Sequence, residues 1–227
     1  MKTDVALLPV GSTECHGPHL PTSTDWLVAE ELARRIKEKI AKKRIKIEVL
    51  PTIKLAPTYA AASSKGTVNI SPEKFQKNVF AAVKRFKSQK GLKKLFIISG
   101  HWGRTVKACF VLVALRIREE LDAEVYVLDY PSARHGDLPK NDMHAGEIET
   151  SIMLASHPKL VGNYKVLKPR YPLRRPKLPK EVYAAFTKKD FRTLQWHGEP
   201  AAARTETGKK ILDEVTSRLA SVIEKCL

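Results

Sequence analysis

The alternation of short apolar segments with amphipathic segments is the strongest constraint on how this chain can fold. Four short β-rich runs are predicted to be strands, at residues 5–10, 46–53, 94–99 and 124–129. Apolar residues recur at helical spacing elsewhere, which predicts helices over residues 25–43, 72–87, 104–121, 146–156 and 206–226. Strands that alternate with helices are typical of βαβ units. We therefore expect an α/β fold with a mostly parallel sheet and helices on both faces.

One stretch stands apart from this alternation. Residues 158–192 contain five prolines, which break helices, and a large excess of basic residues. The rest of the chain has no internal repeat, low-complexity segment or clear linker. We therefore interpret residues 1–227 as a single domain with a basic, proline-rich arm or insertion at about 158–192.

The net charge of +17 first suggests a nucleic-acid partner. The excess is concentrated in two places, however. Residues 34–48 hold eight basic and two acidic residues, on the polar face of a predicted helix, and residues 159–192 hold eleven basic and two acidic residues. We expect neither a nucleic-acid partner nor a membrane partner, and keep a basic nucleic-acid-binding α/β module as the non-enzyme alternative.

The cellular compartment can also be predicted from composition. Three scattered cysteines do not indicate a disulfide framework, which favours a reducing environment. No apolar run approaches the ~20 residues needed to span a bilayer, and the first residues lack the pattern of a signal peptide. We expect a cytoplasmic protein.

Metal-ligating residue types follow the predicted strands. Glu14 and His16 lie in the loop after the first strand, Asp25 begins the next helix, and His101 follows the strand that ends at Ser99. A fourth segment, His144-Ala-Gly-Glu147-Ile-Glu149, opens a later helix. In open α/β sheets, ligands bind outside the carboxyl ends of the strands. Mixed nitrogen and oxygen ligands suit Zn²⁺, Mn²⁺ or Fe²⁺, and a pair of ions needs a bridging carboxylate.

Each of these residues also has a structural interpretation. A single histidine after a strand is more often structural than a ligand, but two histidines and several carboxylates at one edge favour a metal site. Trp102 either stacks on a flat heterocycle or covers the edge of the sheet. Cys15 points away from its neighbours in an extended loop, so we treat it as a bystander.

Five segments of the chain resemble motifs of the creatininase (creatinine amidohydrolase) family. They are residues 8–21 (LPVGSTECHGPHLP) with the later Thr24-Asp25, residues 66–73 (GTVNISPE), residues 99–103 (SGHWG), residues 144–151 (HAGEIETS), and the Gly198-Glu-Pro and Glu206-Thr-Gly pair. The resemblance spans about residues 5 to 220.

The resemblance implies a metal-dependent amidohydrolase with a Rossmann-like α/β fold, a two-metal centre and a homo-oligomeric state. Carried over by position, Glu14 and His101 bind one ion, His16 binds the other, and Asp25 bridges them. Creatininase has a glutamate where this chain has Gly103. We therefore expect Glu149 to be the fifth ligand, with Glu147 as the alternative.

The implied reaction is attack of a hydroxide held between two divalent ions on an amide or formamide carbonyl. His144 is the candidate general acid, with Glu147 as the alternative, and Trp102 and Arg104 are candidate substrate contacts. One branch resembled here contains archaeal deformylases, which release formate from a formamidopyrimidine ribonucleotide in riboflavin and deazaflavin biosynthesis. The basic excess suits a phosphorylated substrate of this kind. Creatinine-type cyclic amidases and peptide-trimming members are the alternatives within the family.

Overall fold

The chain folds around one parallel sheet with helices on both faces. We describe residues 5–41, 45, 47–128, 130, 139, 142–170 and 195–227 in a computed structural model. The strands are β1 (Val5–Val10), β2 (Ile47–Val49), β3 (Lys94–Ser99) and β4 (Glu124–Leu128). The helices are α1 (Thr24–Ala41), α2 (Pro72–Lys90), α3 (Arg104–Leu121), α4 (Glu147–Ser156) and α5 (Thr205–Lys225).

The order of the strands places a crevice at one edge of the sheet. The four described strands run in the order β2-β1-β3-β4, and all pairs are parallel. From β1 the chain passes first to β2 on one side and then to β3 on the other side. The connections therefore diverge between β1 and β3, and ligands bind at such a switch point, outside the carboxyl ends of the strands.

The apolar sequence of β1 and β3 follows from burial on both faces. Every residue of β1 is buried, as is all of β3 except Lys94. Alternate residues enter two cores: Leu7 and Phe96 pack with residues of α1, α4 and α5, while Leu8 and Ile97 pack with residues of α2 and α3. Central parallel strands covered on both sides have this continuous apolar pattern.

The predicted fold class is confirmed, with small differences in the ends of elements. Strand β2 ends at Val49 rather than at residue 53, because Pro51 lacks an N–H for the ladder. The chain still follows β1 beyond that point, since the Ile53 N–H donates to the Pro9 carbonyl. Helix α2 runs three residues past its predicted end, to Lys90, where Gly91 adopts a φ of 71°. Residues 42–43 of the first predicted helix, residues 46 and 129 of two predicted strands, and residues 171–192 of the predicted arm lie outside the described residues.

Two glycines allow the first turn of α1 to approach the ends of β1 and β3. A Cβ at Gly100 would lie 1.9 Å from the Asp25 carbonyl oxygen, and one at Gly11 would lie 2.3 Å from the Trp26 nitrogen. Both distances are shorter than any non-bonded contact. The absence of side chains at the two strand ends thus allows Asp25 to enter the crevice.

None of the helices within the described ranges is long and apolar enough to cross a membrane. The three cysteines, Cys15, Cys109 and Cys226, are free thiols.

The close approach at Gly100 leads to a stability prediction. Gly100→Ala should lower the free energy of unfolding by roughly 1–3 kcal/mol, because the new methyl group displaces the first turn of α1. The matched control is Gly162→Ala, whose Cβ would meet its nearest atom at an ordinary 3.4 Å. Denaturant unfolding measures both; equal midpoints for the two variants would contradict the proposed crowding.

Candidate metal centre

The predicted ligands converge at the carboxyl edge of the sheet. Glu14 and His16 lie in the loop after β1, Asp25 is the second residue of α1, and His101 lies between β3 and α3. Glu149 projects from the first turn of α4. All five are buried except Glu149, which is partly exposed. Ligand atoms from these residues form two overlapping groups, each within 4.8 Å across.

The first group contains Glu14, Asp25 and His101. His101 Nδ1 lies 3.0 Å from Glu14 Oε1 and 3.2 Å from Asp25 Oδ2. One imidazole nitrogen and two carboxylates therefore face a common point.

The second group contains His16, Asp25 and Glu149. His16 Nε2 lies 3.0 Å from Asp25 Oδ1 and 3.7 Å from Glu149 Oε2. Asp25 belongs to both groups, with one carboxylate oxygen facing each histidine. This is the geometry that a bridging carboxylate requires.

Backbone carbonyls orient the histidine rings. In each ring, the nitrogen that faces away from the cluster meets a backbone carbonyl oxygen. His16 Nδ1 lies 3.0 Å from the Glu14 oxygen, and His101 Nε2 lies 3.1 Å from the Pro57 oxygen. His144 Nε2 lies 2.8 Å from the Cys15 oxygen. Histidine ligands commonly donate their second N–H to such an acceptor, which leaves the other nitrogen as a bare lone pair. Cys15 thus contributes its carbonyl to the site; no metal-ligand group among the described residues includes its thiol.

Two hydroxyl groups that sequence reasoning missed orient the carboxylates. Ser12 Oγ donates to Asp25 Oδ2 at 2.6 Å, and Thr58 Oγ1 donates to Glu14 Oε2. Both hydroxyl residues are buried. Ser12 falls within the first motif, but Thr58 comes from a distant loop and no local pattern indicates its role.

His144 lies against the same cluster. Its Nδ1 is 3.9 Å from Glu14 Oε1, and its ring centroid is 4.4 Å from that of His16. Together with Glu14 and His16 it forms a third group of possible ligands. Its backbone is held by the segment around His197, with which it forms an antiparallel bridge.

The turn before α4 distinguishes Glu149 from Glu147, the two residues that the sequence left as alternatives for the fifth ligand. Ala145 adopts a φ of 48°, and its N–H donates to Glu149 Oε2 at 2.5 Å. Glu149 therefore faces the cluster, whereas Glu147 is in none of the ligand groups formed by described residues. Burial and the nearby Glu199 raise the pKa of Glu147, against the opposing effect of Arg204.

Asp142, which was also not predicted, caps this turn. Its Oδ2 accepts a 2.5 Å hydrogen bond from the Ile148 N–H, in the first turn of α4. A Cβ at Gly146 or Gly198 would lie 1.5 or 2.1 Å from Asp142 Oδ1, so both glycines make room for this carboxylate. No local sequence pattern indicates this role, because Asp142 precedes the N-cap residue Gly146.

The electrostatics of the cluster favour a cation. Burial lowers the pKa of His16, but Asp25, Glu149 and Glu14 outweigh it and raise that pKa to about 10. Burial also lowers the pKa of His101, but Glu14 and Asp25 outweigh this effect and hold that pKa well above its usual value. Burial raises the pKa of Asp25, yet His16 and His101 keep it well below the ordinary range.

The donor set fits divalent metal ions. His16 Nε2 is buried and makes no well-aligned hydrogen bond to any described residue, although two carboxylates lie near it. A bare nitrogen lone pair beside carboxylate oxygens is repulsive unless a proton or a metal ion lies between them. Imidazole and carboxylate ligands in this ratio suit Zn²⁺, Mn²⁺ or Fe²⁺.

The two predicted substrate contacts lie just after His101. Trp102 is half-buried, packs against the core, and has its ring centroid 6.3 Å from that of Phe110. Its indole N–H is buried and has no partner among the described residues. Arg104 is exposed at the first position of α3.

Comparison with known proteins decides the family. The sequence pattern of the creatininase family, described as creatinine amidohydrolase, matches residues 1–223. The chain belongs to the creatininase family. It is accordingly a hydrolase of that family, and the resemblance inferred from its motifs is confirmed.

Individual relatives agree with this assignment. The chain is 28% identical over 225 residues to the mycofactocin precursor peptide peptidase of Mycolicibacterium smegmatis, covering 97% of this chain and 85% of the relative. It is 26% identical over 183 residues to the creatinine amidohydrolase of Pseudomonas putida, covering 72% and 68% of the two chains.

Solved creatininase structures share the fold. A Bacteroides fragilis crystal structure named for creatinine amidohydrolase superposes with a TM-score of 0.83 at 25% identity, covering 99% of this chain and 90% of the other. A structure named "Creatininase Mn" superposes with a TM-score of 0.79 at 22% identity, covering 98% and 91%. A creatininase variant of the Zn–Zn type has a TM-score of 0.76 at 22% identity, covering 98% and 90%.

The raised histidine pKa values predict proton release on metal binding. In the metal-free protein at about pH 8, His16 holds a proton that coordination must displace, and the raised pKa of His101 acts in the same direction, so loading should release at least about one proton per chain. Apparent metal affinity should therefore rise with pH towards pH 10. Titration calorimetry in buffers of different ionisation enthalpy measures this release, and His16→Asn should reduce it by about one proton; heats independent of the buffer would contradict it.

The positions of Glu147 and Glu149 predict opposite effects of equivalent substitutions. Glu149→Gln should weaken metal binding by more than about ten-fold, because it removes a charged ligand of the second group. The matched control, Glu147→Gln, should retain metal and lower only turnover. Metal content after dialysis against a weak chelator distinguishes them, and metal loss in Glu147→Gln alone would reverse the assignment.

Proposed function

We propose that the protein is a metal-dependent amidohydrolase that cleaves a C–N amide or formamide bond of a small substrate. The observation that carries this proposal is the pair of ligand groups joined by Asp25, each with one histidine facing two carboxylates. Glu14, Asp25 and His101 would hold one divalent ion, and His16, Asp25 and Glu149 the other. Such ions, when bound, polarise a carbonyl oxygen and activate water near neutral pH.

The residues of the chain supply the rest of the chemistry. His144 donates its Nε2–H to the Cys15 carbonyl, so Nδ1 is the atom that exchanges a proton with the leaving nitrogen of the substrate. Ser12 and Thr58 hold the carboxylates in place while charge develops. Glu147, with its raised pKa, is the alternative proton carrier.

For the substrate we propose a formamidopyrimidine ribonucleotide, from which the enzyme would release formate. The motif resemblance and the net charge of +17 support a phosphorylated substrate. Arg104 and Trp102, which follow His101 directly, are the residues proposed to contact it.

A second candidate substrate is a peptide that the enzyme would trim. The observation that favours it is the similarity to the Mycolicibacterium smegmatis peptidase over 97% of this chain. Creatinine is the third candidate, since the Pseudomonas putida relative carries that name. Parallel assays on a formamidopyrimidine nucleotide, a peptide and creatinine, with product identified by mass spectrometry, rank the three substrates.

The non-enzyme alternative is tested on the same preparations. A nucleic-acid-binding module would show affinity for RNA or DNA that falls steeply with salt and would need no metal. We propose instead that hydrolysis stops on chelation and returns with Mn²⁺, Zn²⁺ or Fe²⁺.

Loss of the bridging carboxylate should abolish both metal binding and hydrolysis. Asp25→Ala removes an oxygen from each ligand group, so we expect loss of metal by elemental analysis and a fall in kcat of at least about a thousand-fold. The matched control is Asp213→Ala, at an exposed carboxylate on α5, which should retain both. Metal content and activity that survive Asp25→Ala would refute the dinuclear site.

A further inference from the structure

The histidine and the glutamate of the second ligand group come from two distant segments. His16 lies in the loop after β1, and Glu149 lies in the first turn of α4. Their facing atoms, His16 Nε2 and Glu149 Oε2, are 3.7 Å apart. An ion bound by both side chains requires a fixed separation between them, so the loop must be held against the helix.

A buried hydrogen bond joins the loop to the helix close to both ligands. His19 follows His16 by three residues, and its Nε2 lies 3.0 Å from Oγ1 of Thr150, the residue after Glu149. His19 is 2% exposed and Thr150 is fully buried. Because an unpaired polar atom at this depth is costly, the pair of side chains has strong reason to stay together.

The loop is shaped to hold the His19 ring in this position. Gly17 adopts a φ of 74°, and a Cβ there would lie 3.0 Å from His19 Nδ1. The His19 carbonyl also accepts a 2.7 Å hydrogen bond from the N–H of Gly162, beyond the end of α4. His19 is therefore tied to the region of α4 by its backbone as well as by its ring.

His19 acts by hydrogen bonding rather than by charge or by coordination. Burial and the nearby His16 lower the pKa of His19 to about 4, and the Ala145 backbone opposes them only in part. The ring is thus neutral at neutral pH. His19 is also absent from every metal-ligand group that the described residues form.

We propose that His19 is a positioning residue that holds Glu149 against His16 through Thr150, and thereby sets the affinity of the second ion. The carboxylates of the first group are held by other contacts, since Thr58 donates to Glu14 and Ser12 donates to Asp25. The first ion should therefore be spared when the contact of His19 is lost. This inference rests on the two-ion site of the proposed function.

Removal of the Thr150 hydroxyl tests the contact. Thr150→Val preserves the shape of the side chain, and it should weaken binding of the second ion about ten-fold or more while the affinity for the first ion changes less than about two-fold. Thr150→Ser keeps the hydroxyl and should restore the wild-type affinity. Titration of the metal-free protein with Mn²⁺, with free Mn²⁺ counted by electron paramagnetic resonance, measures both binding steps.

The matched control is Thr216→Val. Thr216 is also buried on a helix, but its hydroxyl has no hydrogen-bond partner among the described residues, so both Mn²⁺ binding steps should stay unchanged. His19→Asn, which has no polar atom at the position of Nε2, should reproduce the effect of Thr150→Val. Circular dichroism confirms that each variant is folded.

A double substitution tests whether the effect passes through Glu149. Glu149→Ala removes the ligand, and so identifies the binding step that belongs to the second ion. In that background Thr150→Val should cause less than about two-fold further loss, because the side chain that it positions is already absent. A purely structural role of Thr150 would instead lower the affinity equally in both backgrounds.

The outcomes separate this inference from the proposed function. A wild-type chain that binds fewer than two Mn²⁺ ions would overturn the two-ion site and the role of His19 together. Two bound ions, with unchanged affinity for the second in the folded Thr150→Val and His19→Asn variants, would overturn the role of His19 alone. An equal loss in Thr216→Val, or full additivity with Glu149→Ala, would also overturn it.

Discussion

The position of Asp25 is the constraint on which the rest of the site depends. Its two carboxylate oxygens face two different histidines, and this is possible only because the first turn of α1 lies against the ends of β1 and β3. Gly11 and Gly100 provide that space. The parallel sheet then supplies Glu14 and His16 from one strand end and His101 from the other.

A cluster of three carboxylates, two of them buried and one partly exposed, is stable only when positive charge accompanies it. Without metal, His16 and His101 hold protons because the carboxylates raise their pKa values. Divalent ions bound in the same place would balance the negative charge of the same carboxylate oxygens and would displace those protons. The electrostatic demand that keeps both histidines protonated in the metal-free site is therefore also what suits the site to bind metal ions.

Much of this arrangement could be predicted from residue patterns. The β/α alternation predicted the sheet and all five helices to within a few residues, because β1 and β3 are buried on both faces and the helices are amphipathic. The supporting residues could not be predicted in this way. Ser12, Thr58 and Asp142 act through hydrogen bonds to Asp25, Glu14 and the first turn of α4, and only one of these contacts is local in sequence.

The sequence by itself determined the order of elements, the parallel sheet and the set of ligand types at its carboxyl edge, since periodicity and strand ends are local properties. The tertiary structure decided which glutamate of the fourth motif faces the cluster, and that His144 lies against His16 although 128 positions separate them. The left-handed turn at Ala145 fixes the position of Glu149, and the antiparallel bridge to His197 fixes the backbone of His144. These contacts join segments that are distant in the chain, so only folding brings their side chains together.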